Sequence, residues 1–404
     1  MAFINAVGVG AVTRPTLANC RHRPAHPVLA PPSVAPAQKC VPRMVVDDDL
    51  PSTTPVPAVA VPKSVGIGVI GCGRIGQVHA RAITSLPGAH LAGVADPFEP
   101  FGLAVASEFS TTWTGDWREL VNDAAVDAVV IGSPTPFHAE QILACAAAGK
   151  AIFCEKPISN DLATIDECIH AVEDAGVQLL VGFQRRFDSN FAKVRDIVAS
   201  GAIGDLRTFS IKSRDPSPPP ASYLEKSGGI FLDMTSHDYD MARFITGAEI
   251  DSVYVTGSAV ESPAQEAHDL DTVITVLKMN NGVFGTIENS RRCGFGYDQR
   301  VEAFGGSGSV SGSNKAADTV QVSTAGGISA SNPYSFFMDR YTEAYTGIMG
   351  AFVRMVAGGG ATPVSGADGR APIVAAKAAA LSHAEGRLVR LEEVDVAKWV
   401  AGAL

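Results

Sequence analysis

An α/β fold is what this sequence predicts: an N-terminal doubly wound parallel sheet, then an α+β domain with an open, mostly antiparallel or mixed sheet. Three observations carry that reading. A glycine-punctuated turn joins an apolar run to a helical one at residues 71–76, apolar runs and amphipathic segments alternate up to residue 182, and β-branched or alternating segments follow to about residue 305. At 404 residues the chain also exceeds what a single core serves, so two domains are expected.

The first element is "SVGIGVIGCGRIGQVHARAI", in which Val65 to Ile70 read as a strand and a helix begins near Arg74. Gly71, Gly73 and Gly76 then fall on the strand-to-helix turn: the first permits the bend, the second lets backbone approach a pyrophosphate, the third allows close helix packing. The first helical N–H groups, around Arg74 and Ile75, lie at the positive end of the helix dipole and suit phosphates. A second strand, "HLAGVAD", ends at Asp96, 20 residues beyond Gly76. A carboxylate there bonds ribose hydroxyls and repels a 2'-phosphate, which points to a Rossmann domain using NAD rather than NADP. The plainer reading of Asp96 is a turn former before Pro97.

Strand "DAVVIGS", helix "AEQILACAAAG", strand "AIFCEKP", helix "DLATIDECIHAVEDAG" and strand "VQLLVGF" continue the alternation and complete a domain over residues 64–182. "SPTPFH", residues 133–138, leaves the carboxyl end of its strand, where such sheets bind ligands. Ser133, Thr135 and His138 are therefore candidates to line the nicotinamide side of a cleft, although two prolines alone signal only a rigid loop. Beyond residue 183, "DLRTFSIKSRD", "DSVYVTGSAV", "TVITVLKM", "VFGTIENSR" and "QRVEAFG" read as strands, with a hairpin turn at Asn280, Asn281 and Gly282.

Composition limits the function classes. A formal charge of −10 gives no electrostatic reason to expect nucleic acid or an anionic membrane as partner. Residues 1–46 differ from the rest: they hold Arg14, Arg21, Arg23, Lys39 and Arg43 but no acid. Such a segment is expected to be an organelle transit peptide, plastid first and mitochondrion second, with residues 47–63 as a Pro-rich linker. Five cysteines lie outside it (Cys72, Cys145, Cys154, Cys168 and Cys293), an odd number without metal-ligand spacing, and read as reduced thiols.

"GGIFLDMTSHDYDMARFITG", residues 228–247, reads as one helix. At about 100° per residue, steps of four and seven bring Asp233, His237 and Asp240 onto one face. Acids on a surface helix are the plain explanation; a site is the other.

"CEKP" at 154–157, after the glycine turn, resembles the Gfo/Idh/MocA oxidoreductase superfamily. "QRRFD", "SRDPSPPPASYLEKSGGIFLDMTSHDYDMARF", "GYDQRVEAFG", "YTEAY" and "PVSGADGR" extend the resemblance over residues 64–392, toward the inositol dehydrogenases of that superfamily. It implies a substrate-binding and oligomerisation domain over residues 183–350, C-terminal helices in 351–404 that pack back on the first domain, and a homotetramer or homodimer. It implies NAD-dependent oxidation of a cyclic polyol, with Glu155 and Lys156 at the nicotinamide, a cis peptide after Lys156, His237 as general base, Lys156 polarising the reacting oxygen and Asp233 assisting. Arg185, Asp215, Asp240 and Tyr297 are the candidates for gripping an uncharged polyol through charge-assisted hydrogen bonds; surface ion pairs, a turn cap and packing are their plainer roles. No metal is expected, because Lys156 opposes a cation beside Asp233, His237 and Asp240. "SRRCGF" before Tyr297 and Cys72 in the turn depart from the pattern, which leaves open the exact polyol, another cyclitol, an aldose or a diol. A non-catalytic NAD sensor is the alternative of another class.

Overall fold

The computed structural model describes residues 64–358 and 360–395; the expected leader lies outside them. Strands β1 (Val65–Ile70), β2 (Ala89–Ala95), β3 (Trp113–Thr114), β4 (Ala128–Ile131), β5 (Ala151–Cys154) and β6 (Leu179–Val181) form a parallel sheet in the order β3-β2-β1-β4-β5-β6. Between them run helices α1 (Arg74–Ser85), α2 (Glu99–Phe109), α3 (Trp117–Asn122), α4 (His138–Ala147) and α5 (Leu162–Asp174). Helices cover both faces, so β1 and β4 are buried at every residue and read as unbroken apolar runs. The strand order reverses between β1 and β4, and the crevice at their carboxyl ends is where such sheets bind ligands.

The second half contains α6 (Ser189–Ala199), β7 (Leu206–Arg214), α7 (Ala221–Ser227), α8 (Ser236–Thr246), β8 (Ile250–Ser258), α9 (Ser262–Glu266), β9 (Thr272–Met279), β10 (Phe284–Ser290), β11 (Asp298–Gly305) and β12 (Ser309–Gly312). A hairpin, β13 (Gln321–Thr324) with β14 (Gly327–Ala330), precedes α10 (Phe337–Arg340), α11 (Thr342–Val356), α12 (Gly366–Glu385) and β15 (Val389–Arg390). The second sheet is mixed: its order is β12-β11-β7-β10-β9-β8-β15, with β7 and β10 parallel and the other pairs antiparallel. Burial alternates along it as a one-sided sheet requires. On β9, Val273, Leu277 and Met279 face the core beneath α8 and α12, whereas Ile274 and Val276 are exposed.

The expected division at residue 350 falls inside α11, and the structure corrects it. Ile348, Met349 and Phe352 on α11 complete the core around Ile67, Val69 and Phe153 of the first sheet. On α12, Ile373 joins the core of the first sheet as expected, whereas Ala375, Ala376, Ala378 and Ala379 pack beneath the mixed sheet, to which β15 adds an edge strand. The C-terminal helices thus serve both cores, since α11 and α12 each present apolar residues to both.

A buried ion pair fastens α10 to the start of α6. Asp188 caps α6 by accepting from the N–H groups of Asn190 and Phe191, and Arg340 Nη1 donates to its Oδ2 at 2.5 Å, both side chains 1% exposed. Asp188→Ala strands that guanidinium without its charge partner, so it is expected to cost about 3–5 kcal/mol of unfolding free energy, measured by urea denaturation. A loss below about 1 kcal/mol rejects this account of the pair.

Candidate active site

The glycine turn ends β1 at the crevice. Gly71 has φ +91°, a conformation only glycine adopts freely, and a Cβ on Gly76 would lie 1.8 Å from the Gly71 carbonyl oxygen. A Cβ on Gly73 would meet nothing within 4 Å, so the turn presents open backbone at the N-terminus of α1. Arg74 is exposed, with its guanidinium 5.3 Å from the centre of the Phe336 ring, and Ile75 is half-buried. Asp96, at the end of β2, accepts from the Cys72 N–H at 2.7 Å and the Phe98 N–H at 2.8 Å. It braces the turn from the end of β2.

Ser133 donates to Gln141 Oε1 at 2.6 Å, and Thr135 opens a short 3-10 turn. His138 departs from its expected place. It is 1% exposed, and its two ring nitrogens lie 2.8 Å from the carbonyl oxygens of Ser133 and Pro157. Burial holds the ring below its usual range, so its single N–H donates to one of these two carbonyls while the other nitrogen lies against the second; the ring is wedged between the loop after β4 and the loop after β5 rather than turned toward a cleft. Glu155 is held from below by His79, whose Nε2 lies 2.7 Å from Oε1. His79 went unread in the sequence, although a histidine on the buried side of the first helix was the signal available.

The Lys156–Pro157 peptide is cis. Lys156 Nζ donates to the backbone carbonyl of Asp233 at 2.8 Å. Residues 231–235 form a π turn that runs into α8. The wider turn shifts the phase of everything after it, and this decides which acids face the crevice. Asp240, a predicted polyol contact, is fully buried and turned away: Arg186 grips its carboxylate through Nε (2.9 Å) and Nη2 (2.5 Å), and Asp368 on α12 shares that arginine. Asp238, equally buried, backs the site through Arg185, accepting from Arg185 Nη1 and Asn289 Nδ2, each at 2.7 Å.

The carboxylate of Asp233 does not bond the imidazole of His237. Its Oδ1 accepts from the Tyr223 hydroxyl at 3.0 Å and its Oδ2 from Arg291 Nη1 at 2.9 Å. His237 stacks edge-on to Phe183 at 5.8 Å, and its Nδ1 is buried without a hydrogen bond. Burial first, then the cations Lys156 and Arg185, hold this imidazole well below its usual range. It is therefore a neutral base at neutral pH. Lys156 is lowered by burial against the opposing pull of Asp233 and Glu155. Arg185 is buried beside the Tyr297 hydroxyl (3.4 Å), and burial pushes Asp215 up to about 6, against the pull of Arg291. Lys156, Asp233, His237, Arg185, Asp215, Asp238, Tyr297 and Arg291 thus share one electrostatic neighbourhood at the carboxyl end of the first sheet.

Two family profiles match the chain. The profile of the oxidoreductase family with an NAD-binding Rossmann fold covers residues 65–183, and that of the GFO/IDH/MocA C-terminal domain covers residues 191–311. The chain belongs to the Gfo/Idh/MocA oxidoreductase family. It is 42% identical over 330 residues to the myo-inositol 2-dehydrogenase of Thermotoga maritima and, over the same length, to the inositol 2-dehydrogenase of Rhizobium meliloti; each match covers 81% of this chain and 99% of the relative. A solved scyllo-inositol dehydrogenase from Lactobacillus casei with bound NAD(H) and scyllo-inositol superposes with a TM-score of 0.76 at 28% identity, covering 81% of this chain and 99% of that one.

The residues present fit the family's dinucleotide. The open backbone at Gly73, the free N–H groups of α1 and the carboxylate of Asp96 are what a pyrophosphate and an adenosine ribose require. Among the described residues no group of histidine, cysteine and carboxylate side chains has metal-site geometry.

The titration order is testable without substrate. In ¹⁵N-histidine NMR, His237 is expected to remain neutral as the pH falls from 8 to about 6, and Lys156→Met to move its protonation to higher pH by removing the leading cation. A His237 that is charged at pH 6 in the native protein contradicts the assignment.

Proposed function

We propose that this protein oxidises a cyclic polyol to a ketone with NAD as acceptor, with myo-inositol to 2-keto-myo-inositol the first candidate and a related cyclitol the next. The observation that carries the reading is the meeting of a half-buried lysine and a neutral, half-buried histidine at the carboxyl end of the first sheet. Removing a hydroxyl proton needs a base that is unprotonated at working pH, and His237 meets that condition. Lys156, as an ammonium, donates to the reacting oxygen and stabilises the negative charge that grows there as the proton leaves. When bound, the nicotinamide supplies the hydride acceptor. Arg185, Asp215 and Tyr297 offer a cation, an anion and a phenol to the remaining hydroxyls, a set that suits a neutral ligand rich in donors and acceptors. The names of the 42% identical relatives support the same substrate class.

His237→Ala is expected to lose roughly 10²- to 10⁴-fold in kcat with myo-inositol, the usual range for a positioned acid-base group. NADH binding, followed by fluorescence, is expected to stay within about twofold, since His237 lies apart from the pyrophosphate turn. Failure of the native protein to reduce NAD with any cyclitol, aldose or diol favours the sensor instead.

The outer face of the mixed sheet exposes Tyr254, Ile274, Val276, Phe284 and Phe304, an apolar patch suited to pairing as a homodimer or homotetramer. The acid-free leader, preceding the family match that starts at residue 65, is consistent with organelle import, to a plastid first. Protein from its native source is expected to start at about residues 40–62 by N-terminal sequencing and to sediment as a dimer or larger; an intact Met1 or a monomer rejects the respective idea.

A further inference from the structure

We infer that Arg291 is a positioning residue of this site: it fixes the Asp233 carboxylate and screens Lys156 from it. The inference rests on the proposed function and deepens it. Arg291 follows β10 directly, and its backbone N–H donates to the Asp271 carbonyl at 2.8 Å, which anchors the residue to the start of β9. Its side chain is 2% exposed. Nη1 donates to Asp233 Oδ2 at 2.9 Å, Nη2 lies 3.7 Å from Asp269 Oδ2, and neither Nε nor Nη2 makes a hydrogen bond.

Asp269 in turn accepts from the Ile230 N–H at 3.1 Å. Arg291 and Asp269 therefore hold the turn that carries Asp233 from two sides, one through its carboxylate and one through its preceding backbone. The same Asp233 receives Lys156 on its carbonyl, so whatever moves the π turn moves the acceptor of the lysine.

Charge follows the same geometry. Lys156 faces Asp233 and Glu155, which favour its ammonium form, and Arg185 and Arg291, which oppose it; His237 lies beside it. Arg291 faces Asp233, Asp269 and Asp215. A guanidinium bonded to Asp233 offsets part of the field that carboxylate exerts on Lys156. Without it, Asp233 acts on the lysine unscreened, and the lysine holds its proton to higher pH.

The test is the Lys156 titration, read by NMR of ¹³Cε-lysine protein with Lys156→Met as the assignment control. Arg291→Gln is expected to raise the titration by about one pH unit, and Arg291→Lys to leave it within about 0.3 unit by keeping the cation. In turnover, Arg291→Gln is expected to lower kcat about 10- to 100-fold while the KM for NAD stays within about twofold. Asp233→Asn gives a second arm should Arg291→Gln not fold, with thermal melting to judge folding: it is expected to lower the Lys156 titration by more than one unit, since the attraction is lost while the Arg291 repulsion remains. An unchanged Lys156 titration in folded Arg291→Gln, or in Asp233→Asn, overturns the inference. The NMR readout needs no substrate, so a native protein idle toward every polyol sinks the proposed function while the Lys156 shift still decides this one.

Discussion

Lys156 reaches from the end of β5 to the backbone carbonyl of Asp233, and that 2.8 Å hydrogen bond is the constraint around which the site is arranged. The lysine comes from the parallel sheet that presents a dinucleotide site; the carbonyl belongs to a helical turn under the mixed sheet. Several supports converge on the same place. His138 braces Ser133 against Pro157, His79 holds Glu155, and Arg291 and Tyr223 hold the Asp233 carboxylate. A lysine on a flexible four-carbon stem is held precisely only when its acceptor and its neighbours are fixed.

Burial does the chemical tuning. In water, His237 would be partly protonated near its ordinary value of about 6.5. Enclosure with Lys156 and Arg185 removes that option, and the imidazole stays neutral. The same enclosure demands partners for the charges it traps. Arg185 pairs with Asp238, which also takes the Asn289 amide, and Asn289 accepts from Thr235. This chain of bonds fixes α8 against the sheet, so the groups that tune the base also orient the helix carrying it.

The fold was legible in the sequence because its signals are local. Gly71, Gly73 and Gly76 in an apolar strand-to-helix setting specify one turn, and the alternation to residue 182 specifies one sheet. The site was legible only where a residue type and a family motif coincided, as for Lys156, Asp233 and His237. A helical wheel assumes 3.6 residues per turn, and the π turn at 231–235 breaks that assumption, so Asp240 was placed at a site that Asp238 backs. Arg186, 54 positions before Asp240, claims it, and no local pattern announces a pairing over that distance. Arg291 and His79 escaped for the same reason: their importance lies in partners 58 and 76 residues away. His138 was placed on the correct loop, but its inward direction depends on two carbonyls that meet only in the folded chain.

The return of α11 to the first sheet bears on how the chain assembles as it is made. Phe352 lies against Phe153, their ring centres 5.8 Å apart, and α11 closes the apolar side of a sheet whose strands end at Val181. A nascent chain that has delivered all six parallel strands therefore still lacks part of their cover until residues beyond 350 emerge. Contacts spanning such sequence distances make for slow closure, and in the interval the half-built sheet presents an adhesive apolar surface.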